Sequence, residues 1–269
     1  MFSGDFVLRQ SFKSRNRDNQ IVKFYDKNMT YANVSFTKAK HTLRVGTLNV
    51  HGFGSINQFH TVEDSIRELF ELIRIHQIDI LCIQEYVDLY SKKITSYLNR
   101  FKLYSSDLTC KVVMNLIISR YPIDTIVNVP ILGYGTSNSK MIIIKCTINN
   151  RPITIGNVHL SLYPRDYANQ DTAEYKAAVY NTIDLHKAQL KLIYDNKLDI
   201  LSGDFNFNKS EPEYQWMIDL GWMDNSSRIP TTPYGTTVDF VWTKVPKQSH
   251  VLYYPFSDHR PVIADVEIY

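Results

Sequence analysis

The chemistry of this chain is concentrated in six short polar segments, five of which sit at the end of an apolar run. In order they are Leu48-Asn49-Val50, Ile83-Gln84-Glu85, Asn157-Val158-His159-Leu160, Ser202-Gly203-Asp204-Phe205-Asn206, Val238-Asp239-Phe240 and Ser257-Asp258-His259-Arg260-Pro261. Strand tips are where a sheet can aim side chains into a shared cleft. Glu85, Asp204 and Asp258, with the amides of Asn49 and Asn206, supply the hard oxygen donors that a cation such as Mg²⁺ takes alongside water and substrate phosphate. Two imidazoles, His159 and His259, stand beside them. This equipment suits hydrolysis of a phosphate ester.

Each segment has its own logic. Glu85 follows a run of apolar residues, where a buried, unpaired carboxylate is costly; taken alone, a side chain reaching solvent explains it equally well. In Gly203-Asp204-Phe205-Asn206 two short polar side chains share one face, Phe205 turns into the core, and Gly203 permits a close backbone approach. A lone His such as His159 is more often structural than catalytic. His259 differs, because an imidazole needs a partner to fix its tautomer, and Asp239 is a charge in a strand that otherwise reads buried. Asp239 orienting His259 accounts for both. His259 is then expected to take a proton from an attacking water. A metal held chiefly by Glu85 and Asp258 would neutralise phosphate charge, and His159, Asn206 and Asn49 would stabilise the pentavalent transition state. His51, close after Asn49, is a candidate to line the cleft. His186 falls on a long helix and is expected at the surface.

These residues need elements to position them. Leu43–Val50 reads as a strand, and Phe59, Val62, Ile66, Leu69, Phe70 and Ile73 recur at helical spacing, predicting a helix near 59–76. Ile78–Ile83 is a buried strand. Lys111–Ser119, Lys140–Ile148 and Pro152–Val158 are Val- and Ile-rich strands. Asp171-Thr172-Ala173-Glu174 reads as a capping box with Asp171 at the cap, opening a helix to about Tyr194. Leu198–Leu201 leads into Gly203-Asp204, and Pro212 suits the first turn of a helix ending before Gly221. Thr237–Thr243, His250–Tyr254 and Pro261–Glu267 complete the strands. The expectation is an α/β sandwich of mixed sheets with helices on the outer faces.

Composition is that of an ordinary soluble globular protein of 269 residues, long enough to bury a core without staples. The three cysteines, Cys82, Cys110 and Cys146, form no zinc pattern and read as free thiols in a reducing compartment. No apolar run approaches membrane length and no secretory signal is visible, so an intracellular, monomeric protein (cytoplasmic or nuclear) with no obligate protein partner is expected. The net charge of +3 is unevenly spread: nine Lys and Arg against three Asp give residues 1–44 about +6, leaving the remainder near −3. A basic arm on an acidic body would suit a polyanionic substrate; a solvated leader explains it equally. The chain divides into a basic N-terminal extension, 1–42, packed on or flexible beside the core, and a single catalytic domain, 43–269.

Taken together, the ordered set resembles the endonuclease/exonuclease/phosphatase superfamily, the fold of deoxyribonuclease I and exonuclease III. The likeness runs from about Leu43 to the C-terminus and includes Asn49, Gln84-Glu85, His159-Leu160, Gly203-Asp204-Phe205-Asn206, Val238-Asp239-Phe240 and Ser257-Asp258-His259. Ile118-Ser119-Arg120-Tyr121-Pro122 is similar to the family's Ser-Arg-x-Pro segment, and Lys187-Ala188-Gln189 to its Arg-x-x-Gln helix. The resemblance implies a four-layer α/β sandwich, two mixed β-sheets packed face to face with outer helices. It also implies a divalent-metal-dependent phosphoesterase using Mg²⁺, with Mn²⁺ as the alternative. Catalytic roles fall on His159, Asp204, Asn206, Asp239 and His259, and metal binding on Asn49, Glu85 and Asp258. Arg120, Tyr163 and Arg260 are expected to contact substrate.

The segment Tyr234–Phe240 lacks the Arg after Asp that inositol 5-phosphatases carry. The leading expectation is therefore a nuclease cleaving DNA in preference to RNA, its basic arm holding phosphates. A phosphoinositide or phospholipid phosphatase or phosphodiesterase is the alternative, with Tyr134, Tyr163 and Tyr167 as a rim that could equally stack on bases. A non-catalytic nucleic-acid-binding module would need none of the metal and imidazole positions.

Overall fold

The computed structural model describes residues 38, 41–54, 61–108, 114–131, 140–164, 170–224, 229–245, 247–252 and 254–268. The basic extension expected over 1–42 therefore lies almost wholly outside the described residues, as do Cys110, Tyr134 and Tyr167.

Two sheets form the body. One contains β1 (Thr42–Asn49), β2 (Ile80–Tyr86), β3 (Tyr104–Ser105), β4 (Met114–Ser119), β10 (Lys247–Val251) and β11 (Val262–Glu267), in the order β10-β11-β1-β2-β4-β3. The other contains β5 (Thr125–Pro130), β6 (Lys140–Ile148), β7 (Arg151–His159), β8 (Ile200–Asp204) and β9 (Asp239–Thr243), in the order β5-β6-β7-β8-β9. Each sheet has one parallel pair, β1 with β2 and β7 with β8, and is otherwise antiparallel. A parallel pair needs a crossover. Helix α1 (Val62–Ile75) supplies it in the first sheet and α3 (Ala173–Asp195) in the second; α2 (Ser91–Phe101) and α4 (Pro212–Asp219) complete the set.

Strand periodicity explains the layers. Along β2, Ile80 and Cys82 face the other sheet while Leu81 and Ile83 face outward, as a period of two requires. The inward set joins Val45, Ile117, Ile144, Ile155, Ile200 and Val241 in one buried core between the sheets. Leu81 and Ile83 pack under Ile66, Leu69 and Phe70 of α1 and Ile94 and Leu98 of α2. On the far side, Leu190 and Ile193 of α3 and Met217 of α4 cover Ile143, Leu201, Phe240 and Trp242. Three apolar cores separate four layers, which is the expected sandwich.

Local chemistry sets the ends of these elements. Thr61 Oγ1 accepts from Asp64 N and Asp64 Oδ2 accepts from Thr61 N, a capping box that starts α1 at Val62, later than the 59 its apolar spacing suggested. The cap of α3 is Thr172, which accepts from Tyr175 N, and not Asp171. Helix α2 and strand β5 were not anticipated. In α2 the apolar period is present, Ile94, Tyr97, Leu98 and Phe101 recurring at helical spacing, but it was missed; β5 is an almost wholly exposed edge without such a signal. Cys82 and Cys146 are buried free thiols, as expected. Among the described residues no helix is long and apolar enough to cross a membrane.

Candidate active site

The two parallel pairs decide where the polar segments meet. Asn49 pairs in register with Gln84 at the C-terminal ends of β1 and β2; His159 pairs with Asp204 at the ends of β7 and β8; Asp204 in turn pairs with Asp239 at the start of β9. Ligand sites of α/β sheets lie beyond such strand ends. The sheets are pinned together just beneath. Gln84 Nε2 donates to Asn157 Oδ1 at 2.7 Å, while Asn157 Nδ2 donates to the carbonyls of Ile83 (2.9 Å) and Leu116 (3.0 Å). Both amides are fully buried, so their bonds must be made inside the protein. Gln84 directly precedes Glu85 and Asn157 lies two residues before His159, and their positioning role was not recognised from the sequence. An amide in each strand just short of the polar tip was the available signal.

Asp204 is the hub. Its Oδ2 accepts from Asn49 Nδ2 at 3.1 Å and lies 3.6 Å from His159 Nε2 and 3.7 Å from His259 Nε2, while its Oδ1 accepts from Asn206 N at 3.0 Å. A Cβ on Gly203 would stand 2.0 Å from the Val158 carbonyl oxygen, so only glycine lets β7 and β8 approach closely enough to set Asp204 beside His159. Asn206 has φ 53° and donates its amide to the Leu160 carbonyl at 2.9 Å.

His259 is held by Asp239, whose two oxygens lie 3.1 and 2.9 Å from Nδ1. Burial opposes charge on this imidazole, but Asp239 and then Asp204 outweigh it and push its pKa up to about 10. Ser257 fixes the turn. Its hydroxyl donates to the Asn49 carbonyl at 2.6 Å and accepts from His259 N at 3.0 Å.

Glu85 and Asp258 form an acidic corner on the other side of Asn49. Glu85 sits at a register shift in β2 with φ 55°, an arrangement that re-aims a side chain at a strand end. Its Oε1 accepts from Asn49 Nδ2 at 2.8 Å. Asp258 Oδ1 is buried and has no hydrogen-bond partner among the described residues. His51, with φ 49°, completes the corner, its Nδ1 lying 3.5 Å from Asp258 Oδ1 and 3.8 Å from Glu85 Oε2.

Four carboxylates thus crowd around imidazoles, and the orphaned Asp258 oxygen points to a missing positive partner. Oxygen donors of this kind fit a hard divalent cation. Asp204, Asp239 and His259 also offer ligand atoms within 4.8 Å of one another, but both Asp239 oxygens already face His259 Nδ1, so that trio reads as an oriented proton relay. The acidic corner, Glu85 and Asp258 beside Asn49, could hold such a cation.

The three expected substrate contacts are not brought together there. Arg120 follows Ser119, which pairs with Ile80 at the opposite end of β2, roughly 17 Å from Glu85 at strand spacing. Its guanidinium donates to the carbonyls of Ile78 (2.8 Å) and Ile73 (3.1 Å) at the end of α1. Tyr163 turns inward and donates to Glu213 Oε1 at 2.5 Å. Arg260 adjoins His259, but its Nη1 donates to the Pro230 carbonyl at 3.1 Å. His186 was expected at the surface and is fully buried, its Nδ1 2.8 Å from Glu213 Oε1 and its Nε2 2.6 Å from the Ser161 carbonyl. The face of α3 that carries it packs against α4 rather than against water.

Fold and site together define a class: a two-sheet α/β sandwich with an acidic, imidazole-bearing cleft at its strand ends, as in metal-assisted phosphoester hydrolases. Residues 46–259 match the Endonuclease/Exonuclease/phosphatase family, and the chain belongs to it. No curated protein sequence matches the chain. Among solved structures it resembles an endonuclease/exonuclease/phosphatase from Beutenbergia cavernae, at 18% identity and TM-score 0.66, covering 85% of this chain and 72% of that one. It resembles the human Nocturnin catalytic domain with bound sulfate, at 19% identity and TM-score 0.64, covering 88% and 98%. It also resembles a Staphylococcus aureus beta toxin mutant with bound magnesium ions, at 17% identity and TM-score 0.60, covering 84% and 99%. At these identities the likeness is one of fold.

Proposed function

We propose that this protein is a divalent-metal-dependent phosphodiesterase that hydrolyses nucleic acid, with DNA as its principal substrate. The observation that carries the reading is His259, backed by Asp239 through Nδ1, with Nε2 facing the cleft beside Asp204 and the acidic corner. Glu85 and Asp258 would hold the cation, with Asn49 beside them. When bound, it would supply positive charge that screens the phosphoryl oxygens and opposes the protonated form of His259. Asp239 keeps the Nδ1 proton in place, so Nε2 is the atom that accepts a proton from the attacking water. His159, across Asp204 from His259, meets the charge that develops on the phosphorus oxygens, and Asn206 supports it from the same strand end. Lys and Arg among residues 1–37 would supply the phosphate contacts that a long polyanion rewards; Arg44 does not contribute, because it is buried against Asp265, and Lys38 is paired with Asp79.

A time course on supercoiled plasmid with Mg²⁺, Mn²⁺ or EDTA, run beside His259→Ala, tests this reading. Metal-dependent nicking that disappears in the variant is the expected result. Plasmid left intact in every lane, together with inert single strands and RNA, would sink it.

One observation favours a second substrate class. Leu89, Leu162 and Tyr234 lie on segments next to the strand ends that carry the site, and they are 76%, 45% and 68% exposed. An apolar rim of this kind suits a phospholipid headgroup presented at a membrane surface as well as it suits stacked bases. Release of phosphocholine from sphingomyelin vesicles, with nucleic acid untouched, would replace the first reading by this one.

A further inference from the structure

His51 has no part in the relay just described, yet it is drawn into the acidic corner. The turn that follows β1 is tightly folded, with left-handed backbone at His51 (49°), Gly52 (63°) and Phe53 (57°). It brings the imidazole back over the strand ends, where His51 N donates to Asn49 Oδ1 at 2.9 Å. The side chain is half exposed, and its Nδ1 lies 3.5 Å from Asp258 Oδ1 and 3.8 Å from Glu85 Oε2. Separations of this size are too long for hydrogen bonds. Each is short enough for one ion to bridge that pair of atoms, since bonds of about 2.1 Å span donors up to roughly 4.2 Å apart, and a small inward turn of the partly exposed Glu85 or His51 side chain would bring the third donor to the same ion. The oxygen that faces His51, Asp258 Oδ1, is the buried one without a partner among the described residues.

We infer that His51 Nδ1 is a ligand of the active-site ion, together with Glu85 and Asp258, and that it turns the preference of the site from Mg²⁺ toward Mn²⁺ and Co²⁺. The inference rests on the metal-dependent reading above. Mg²⁺ favours an all-oxygen shell, whereas imidazole nitrogen suits first-row transition ions, whose affinity rises from Mn²⁺ to Co²⁺. A mixed nitrogen and oxygen corner therefore discriminates by donor chemistry as well as by charge.

The test uses full-length protein stripped with EDTA and titrated calorimetrically with Mg²⁺, Mn²⁺ and Co²⁺, as wild type, His51→Ala and His51→Asp. The Mn²⁺ forms are also examined by pulsed EPR for nitrogen couplings. The wild type is expected to bind Mn²⁺ and Co²⁺ at least about tenfold more tightly than Mg²⁺, and His51→Ala to lose about tenfold or more for both while Mg²⁺ changes by less than about threefold. His51→Asp should bind Mg²⁺ more tightly than the wild type does and lose the preference. One nitrogen coupling present in the wild type should vanish in both variants. Circular dichroism of the stripped proteins confirms that the variants fold, because His51 is half exposed and makes no core contact. Equal losses for all three ions, or unchanged nitrogen couplings in His51→Ala, would overturn the assignment of His51 while leaving the metal site standing. A wild type that binds no divalent ion would overturn the metal-dependent reading itself.

Discussion

Two histidine–carboxylate pairs in this domain have nearly the same contact and opposite fates. His259 Nδ1 meets Asp239 at 2.9 Å, and His186 Nδ1 meets Glu213 at 2.8 Å. The difference lies at the other nitrogen. His186 Nε2 is taken by the Ser161 carbonyl at 2.6 Å, and the pair is sealed by Tyr163 and Phe207. A carbonyl can only accept, so that nitrogen donates and is fully engaged. His259 Nε2 instead faces Asp204 Oδ2 at 3.7 Å, beyond hydrogen-bond range, at the mouth of a cleft. The same dyad is a structural clasp when both nitrogens are satisfied and a candidate base when one is left facing the site.

Substitution should separate the two by readout. His259→Ala and Asp239→Asn are each expected to lower kcat by about 10²–10⁴, the range for loss of a positioned general base. The double variant should be little worse than either single one, because the two act as a unit. Because Asp239 is fully buried, His259→Ala should also lower the melting temperature. His186→Leu differs in its kinetics. It leaves the buried Glu213 carboxylate with Tyr163 but without its imidazole and should cost up to about 3–5 kcal/mol of stability, with kcat per folded molecule unchanged. Chemical denaturation and single-turnover kinetics on the same preparations would show whether the kinetic loss belongs to His259 alone. Similar kinetic losses for both histidines would erase the distinction.

The clasp also carries a pH signature. Burial works to raise the Glu213 carboxyl, but hydrogen bonds from His186 and Tyr163 outweigh it and hold its pKa below the ordinary 4.5. A folded-state pKa depressed in this way contributes stability that is present above the unfolded value and lost as pH falls through the folded one. The wild type should therefore lose stability steeply as pH falls below about 4.5. Glu213→Gln should start lower at pH 7, by about 1–3 kcal/mol, and stay flatter through the same window. Melting temperatures between pH 3 and 7 decide this, and parallel curves would remove Glu213 as the cause.

At the open pair the proton itself should respond to metal. Without a cation, His259 is held near 10 by Asp239 and Asp204 against the effect of burial. Positive charge added at Glu85 and Asp258 should lower that value, whereas His186 should not respond. Titration of the imidazole nitrogens by NMR, with EDTA and then with Mg²⁺, measures both histidines in one sample. A His259 titration indifferent to the ion would separate the relay from the metal seat.

Legibility in the sequence followed the same division. Strand tips such as Asn49, Glu85, His159 and Asp204 could be read because an apolar run ending in a polar residue is a local pattern, and the partnership of Asp239 with His259 followed from two separate oddities. His186 could not be read. Its burial depends on α4 and on the loop after β7 returning over α3, which are tertiary facts that a helix with little amphipathic contrast does not announce. Gln84 and Asn157 had the same obscurity: each reads as an ordinary polar neighbour until the second sheet places its partner opposite. Arg120 lies apart from the strand tips for the opposite reason. The strand that precedes it runs antiparallel to β2, so the Ser-Arg-x-Pro-like segment ends at the far pole of the sheet.

That reversal supplies the smallest expected effect. If Arg120 only ties down the carbonyls of Ile73 in α1 and Ile78 just before β2, Arg120→Ala should cost no more than about 1.5–3 kcal/mol of stability, the worth of a hydrogen bond to a charged donor. It should leave KM for a phosphodiester substrate unchanged. A substrate contact would do the reverse, raising KM several-fold and weakening its dependence on salt, because each phosphate contact contributes about one unit to that slope. Measuring KM at two ionic strengths for Arg120→Ala beside His259→Ala thus asks whether electrostatic work extends beyond the strand ends. A KM effect at Arg120 would mean that substrate wraps from the cleft to the opposite pole of the sheet, a path far longer than the geometry of the site requires.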